Sequence, residues 1–214
     1  MKVLACSSQK GGVGKSTSAL YFSARAAAWL GRRNGRGRVA LIDRDESKNL
    51  TRLLEIQPWA CPLGVDLLPG ENLPPPGAGY VLTVIDTPPG LSAIESLREA
   101  NLVVVPVLPE TQGVNTLIEF LQNIEAQRIT ISPAMRLVAL LPTMVQKRLV
   151  MHQTHLADIA HISEDHEPPL VVLPAIARSA RVGRCELGAP EYNAAAAELF
   201  RHIHLTEEVS HGAR

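Results

Sequence analysis

Seven short, largely apolar runs punctuate the chain, at residues 3–6, 39–42, 65–68, 81–85, 102–107, 137–141 and 170–173, interrupted only by Asp66 and Thr83. A strand with one wet face alternates apolar and polar side chains; a strand covered on both faces does not. The runs therefore predict buried strands of a parallel sheet. Between them lie longer segments with helical character, predicting helices over 16–30, 93–100, 114–127, 149–159 and 192–204, with Gly31 as the C-cap of the first. No helix is assigned between the second and third runs. The alternation of strand and helix indicates an α/β fold: a single doubly wound, mostly parallel sheet with helices on both faces. One domain is expected over residues 1–205, followed by a polar tail at 206–214. Two stretches fit no element. Residues 32–38 read R-R-N-G-R-G-R, a basic loop, and residues 69–79 are rich in Pro and Gly.

Composition refines this picture in only a few places. Among 214 residues, 46% are hydrophobic, ample for one core. Lys plus Arg and Asp plus Glu both number 21, so no global charge draws the chain to nucleic acid and any such binding needs a local patch. Cys6, Cys61 and Cys185 are odd in number and far apart. That spacing disfavours a disulfide framework or a metal site within one chain, and fits a reducing cytoplasm. No leader and no membrane span is expected, since the chain opens on a strand and no run reaches 18 apolar residues.

The candidate chemistry begins after the first strand, where residues 9–17 read Q-K-G-G-V-G-K-S-T and lead into a helix. Gly11, Gly12 and Gly14, with Val13 between them, let the backbone curl until its N–H groups converge on phosphate oxygens. The positive end of the following helix adds to the attraction. Lys15 can set its ammonium between the outer phosphates, Ser16 can offer its hydroxyl to Mg²⁺, and Thr17 can reach an inner phosphate. The usual phosphate-loop pattern has glycine where this chain has Gln9, and an extra lysine, Lys10, precedes the double glycine.

Two acidic strand ends follow. The second run closes in L-I-D-R-D-E-S, so Asp43 and Asp45 stand at the edge where open α/β sheets bind ligands. A carboxylate there can orient water on Mg²⁺ or the attacking water itself. The fourth run closes in V-I-D-T-P-P-G, which gives Asp86 the position of a Mg²⁺-holding carboxylate and leaves Thr87–Gly90 to sense the terminal phosphate.

K-G-G-x-G-K-[ST], followed in order by these two acidic elements, resembles the deviant Walker A ATPases of the ParA/MinD superfamily, in its short single-domain partition form. The likeness continues through V-V-P-V-L-P-E at 104–110, L-L-P-T-M-V-Q-K-R at 140–148 and the basic stretch at 173–188. The resemblance implies ATP and Mg²⁺ as ligands and an ATP-dependent homodimer. It implies that Lys10 reaches the partner's ATP, and that Asp45 acts in hydrolysis beside Lys15. It further implies non-specific DNA binding, a ParB-type centromere-binding partner that stimulates slow hydrolysis, and a cytoplasmic, nucleoid-associated role in plasmid or chromosome segregation. Glu46 and Ser47 stand where the family pattern has Pro and Gln.

Arg178, Arg181 and Arg184 are three apart and share one face if their segment is helical, and Lys147 and Arg148 can join them as a DNA surface. Histidines 152, 155, 161 and 166 match no ligand spacing and read as capping or solvated groups. Alternatives are a MinD-like or other cargo-positioning ATPase and a nucleotide-gated binding module with little hydrolysis. The membrane-cycling version needs a basic amphipathic C-terminal helix, and residues 205–214 read L-T-E-E-V-S-H-G-A-R, so no membrane partner is expected.

Overall fold

The structure, a computed structural model, describes residues 1–32, 38–70, 72–90, 92–131, 135, 137–177 and 190–202. All seven expected strands form: β1 Lys2–Cys6, β2 Arg38–Asp43, β3 Val65–Leu67, β4 Tyr80–Asp86, β5 Leu102–Val107, β6 Leu137–Pro142 and β7 Val171–Val172. They build one parallel sheet in the order β3-β2-β4-β1-β5-β6-β7. Because side chains alternate across a strand, β1 sends Leu4 and Cys6 to one face and Val3 and Ala5 to the other. Helices α1 (Lys15–Arg32), α2 (Asn49–Ile56) and α6 (Pro190–His202) cover the first face; α3 (Ser92–Glu95), α4 (Thr111–Ile131) and α5 (Val150–Asp165) cover the second. Continuous apolar strands are thus the signature of a sheet buried between two helical layers.

Three local expectations change. Helix α1 runs through Gly31 to Arg32, so Gly31 is a helical residue rather than a left-handed cap. The segment expected to be helical over 93–100 completes only one α-turn. Beyond it, Leu97, Arg98 and Ala100 donate to carbonyls three residues back, and Ile94, Leu97 and Ala100 are buried at that tighter period. Helix α2 was not expected, yet Leu50 and Leu54, one turn apart, anchor it on the core. Leu50, Leu53 and Leu54 stand at helical spacing, but the signal is confined to eight residues after the polar stretch 43–49.

The helix that opens at the phosphate loop is tied to the last helix. Tyr192 stacks on Tyr21 with ring centroids 4.3 Å apart, and its hydroxyl lies 3.1 Å from Ser18 Oγ in the buried interior. Tyr192→Phe should keep the stack and strand the Ser18 hydroxyl. The expected cost is about 1 kcal/mol, read as a small loss in thermal unfolding. No helix among the described residues is long and apolar enough to cross a membrane.

Candidate functional site

Sheet register assembles the site. Cys6 pairs with Asp86 between β1 and β4, and Asp43 pairs with Asp86 between β2 and β4. The two carboxylates, 43 residues apart in sequence, therefore end adjacent strands at the edge from which the 7–14 loop rises. That loop leaves the middle of the sheet and turns into α1 at Lys15. Gly12 and Gly14 take φ of +73° and +93°, a region that costs other residues. Neighbouring loops fasten it. Gly90 N donates to Gln9 O at 2.9 Å, Thr87 Oγ1 to Cys6 O at 3.0 Å, and Thr143 Oγ1 to Val13 O at 2.8 Å.

Within this frame Lys15 is 6% exposed, and its ammonium donates to Lys10 O at 3.3 Å. Burial lowers its pKa, opposed by the charges of Asp86 and then Asp45. Asp86 is buried, and no donor meets either of its oxygens in full hydrogen-bond geometry, although the Ser16 hydroxyl is near enough to act on it. Its pKa is pushed up to about 7, chiefly by burial, with the Ser16 hydroxyl pulling down, Asp43 pushing up, Lys15 pulling down and Asp45 pushing up. A native fold rarely leaves a buried carboxylate without a donor unless something else is meant to meet it. An orphaned carboxylate with the Ser16 hydroxyl beside it fits Mg²⁺, a hard cation that takes oxygen ligands.

The second strand end is more fully engaged. Asp43 Oδ1 accepts from Asp45 N at 3.1 Å, and Asp43 Oδ2 accepts from Thr51 N and Thr51 Oγ1, both at 2.9 Å. Asp43 thus organises the loop into α2. Asp45 Oδ1 accepts from Ser47 N at 2.9 Å and Ser47 Oγ at 2.7 Å, so the Ser at 47 orients the carboxylate two residues before it. Lys10 lies back along its own protomer, its ammonium 3.4 Å from Glu110 Oε1 and 3.3 Å from Gln112 Oε1. Such a partly exposed pair is worth about 0.5 kcal/mol, too little to hold the lysine against a phosphate.

Gly11 and Gly12 are exposed, Val13 and Lys15 are buried, and Gly14, Ser16 and Thr17 are half-buried. Lys147 and Arg148 are exposed on the connection from β6 to α5, off the same sheet edge. Arg178, Arg181 and Arg184 lie outside the described residues. Sequence reasoning missed Glu110 and Gln112, which receive Lys10, and Thr143, which holds Val13. It also missed the exposed apolar group Met144, Leu149, Val150 and Met151 around the two cations. Two histidines are more engaged than capping or solvated groups: buried His152 Nδ1 accepts from Gln146 N at 3.2 Å, and His155 links Thr111 to Asp158. No metal-holding cluster of His, Cys, Asp or Glu occurs among the described residues.

Residues 4–188 match the CobQ/CobB/MinD/ParA nucleotide binding domain family. The chain is 32% identical to the chromosome-partitioning ATPase Soj of Thermus thermophilus over 75% of this chain and 77% of that protein. Among solved structures, an ATP complex of a McdA variant from Cyanothece superposes with a TM-score of 0.74 at 18% identity, over 95% of this chain and 96% of that one. Cobyrinic acid a,c-diamide synthase from Mycobacterium smegmatis, with bound ADP and magnesium, gives 0.71 at 24% identity, over 97% of each. These two likenesses establish the fold.

Proposed function

Because the chain belongs to the CobQ/CobB/MinD/ParA nucleotide-binding family, we propose that it is a partition-type ATPase: it closes into a homodimer on ATP, holds DNA without sequence preference, and releases it on hydrolysis. The observation that carries this reading is one glycine-rich loop that bears two lysines, Lys15 buried beside the Asp86 carboxylate and Lys10 held only weakly on Glu110 and Gln112. A loop serving monomeric phosphate binding alone needs only one of those lysines.

In this reading the amides of Gly11–Thr17 wrap the phosphates of ATP and Lys15 neutralises their charge from below. Ser16, Asp43 and Asp86 would hold Mg²⁺, Asp43 through water while it also shapes the neighbouring loop. Bound Mg²⁺ supplies charge neutralisation at the outer phosphates. Asp45, held by Ser47, orients the attacking water. Lys10 leaves Glu110 and Gln112 for the partner's phosphates, so the closed dimer binds ATP better than ADP and hydrolysis reopens it. Lys147 and Arg148, with Arg178, Arg181 and Arg184, give DNA its phosphate contacts, and hydrolysis is slow until a ParB-type partner stimulates it. Soj, the 32% identical relative, is named as a chromosome-partitioning ATPase, which supports this choice; a nucleoid-associated location would follow from the DNA binding proposed.

One observation favours a second reading. Lys147 and Arg148 sit among exposed Met144, Leu149, Val150 and Met151. A mixed apolar and cationic edge suits a protein cargo better than a phosphate backbone. A cargo-positioning ATPase, or a gated binding module with little hydrolysis, would use that edge.

DNA binding decides between them. Wild type and Lys10→Ala are compared by fluorescence anisotropy on random-sequence duplex with a non-hydrolysable ATP analogue, with ADP, and without nucleotide. Wild type should bind at least about tenfold tighter with the analogue, with strong salt dependence, and the variant should lose that gain. Equal binding in all three states defeats the switch; no DNA binding beside intact ATP-dependent dimerisation favours a protein cargo.

A further inference from the structure

The loop between β6 and α5 reaches the phosphate loop through Thr143. Thr143 is 2% exposed, and its hydroxyl lies 2.8 Å from Val13 O and 3.3 Å from Val107 O. A hydroxyl has one proton to give, and the contact to Val13 O is shorter by half an ångström, while Val107 O also accepts the Thr143 amide at 2.8 Å. The hydroxyl proton therefore goes to Val13 O. The methyl of the same side chain sits 3.9 Å from where a Cβ on Gly14 would be, directly under the turn.

In a planar trans peptide the carbonyl and the following N–H point in opposite directions. Thr143 draws the Val13 carbonyl toward the sheet edge, so the Gly14 N–H is turned the other way, toward the concave side of the loop. Gly14 has no side chain of its own to hold that orientation, and its φ of +93° places it in a region glycine leaves easily. We propose that Thr143 is a positioning residue for phosphate binding: by anchoring Val13 O it aims the Gly14 amide at the inner phosphates of the nucleotide. This rests on the nucleotide-binding reading above, and it adds a β6-derived strut to a site built otherwise from β1, β2 and β4.

Thr143→Val keeps the shape and removes the hydroxyl; Thr143→Ser keeps the hydroxyl and removes the methyl. Affinity is measured for a fluorescent ADP and a fluorescent ATP analogue with Mg²⁺, beside circular dichroism and thermal unfolding of the nucleotide-free chains. The Val variant should bind both nucleotides about tenfold more weakly, because the inner phosphates are common to them, and the Ser variant should stay within about twofold of wild type. A packing role would instead weaken the Ser variant as well, in step with its unfolding temperature. In wild type the ¹H–¹⁵N resonance of Gly14 should move strongly downfield when Mg–ADP is added, a reading independent of whether either variant folds. A stationary Gly14 signal, a Val variant that binds like wild type, or a Ser variant as weak as Val overturns the proposal. Failure of wild type itself to bind Mg–nucleotide would overturn the parent reading instead.

Discussion

With Asp86 replaced by asparagine, the nucleotide-free chain should melt about 5–10 °C higher at pH 8, and magnesium should no longer tighten its hold on nucleotide. The reason is the cost of that carboxylate in the resting fold. It is 1% exposed and without a donor in full hydrogen-bond geometry, and its pKa stands at about 7 against an ordinary 3.8. That difference penalises the ionised form by about 4 kcal/mol. Asparagine removes the charge but leaves a buried amide to satisfy, so about 2–3 kcal/mol of relief is expected.

The same numbers give a pH signature. Between about pH 4 and 7 the folded chain keeps a proton on Asp86 that the unfolded chain has released. Protonation thus favours the fold, and the stability it contributes is full below pH 4, falls as pH rises through this window, and is gone above pH 7. The advantage of Asp86→Asn should follow the opposite course, absent at pH 4 and full at pH 8. Calorimetric melts at both pH values check the first part, and nucleotide titrations with and without Mg²⁺ check the second. An equal or lower melting temperature for the variant at pH 8 would show that the carboxylate is not strained. A persisting Mg²⁺ effect would remove Asp86 from the metal site.

Gly113→Ala is the second large effect. A Cβ at this position would lie 2.2 Å from Leu108 O, 3.1 Å from Leu108 C and 3.3 Å from Leu108 Cβ. The obstacle is mostly backbone, and Leu108 O already accepts the Glu110 amide at 2.9 Å, so no rotamer change relieves it. The first turn of α4 must shift away from the end of β5, at about 2–3 kcal/mol. The melting temperature should fall by about 5–10 °C. Glu110 and Gln112, which receive Lys10, ride on the displaced turn, so the resting place of that lysine moves too. Asn115→Ala, exposed on the same helix, is the control and should stay within about 0.5 kcal/mol of wild type. A Gly113→Ala chain that melts with the control would show that this close approach is not required.

Neither the strained carboxylate nor the crowded glycine could be read from its own neighbourhood. V-I-D marks Asp86 as a strand end, but its missing donors depend on what β1, β2 and α1 bring to it. Gly113 in E-T-Q-G-V reads as a weak spot in a helix until Leu108 O is seen above it. Helix α2 is a different case: Leu50, Leu53 and Leu54 stand at helical spacing in the sequence itself, in a segment of only eight residues, and Leu50 and Leu54 meet the core.

The amino-acid order alone determined what depends on near neighbours: seven buried strands, the glycine-rich turn between β1 and α1, and the doubly wound class. Continuous apolar runs and glycines at fixed spacing act over a few residues, so their consequences are written locally. Tertiary structure decided which groups from distant segments meet, and in what state. It set Asp86 beside Asp43, gave Asp43 to Thr51 and Asp45 to Ser47, laid Lys10 on Glu110, and placed Thr143 under Val13. Those outcomes follow from strand order and register, which arise from the packing of the whole sheet and leave no mark on any short stretch of sequence.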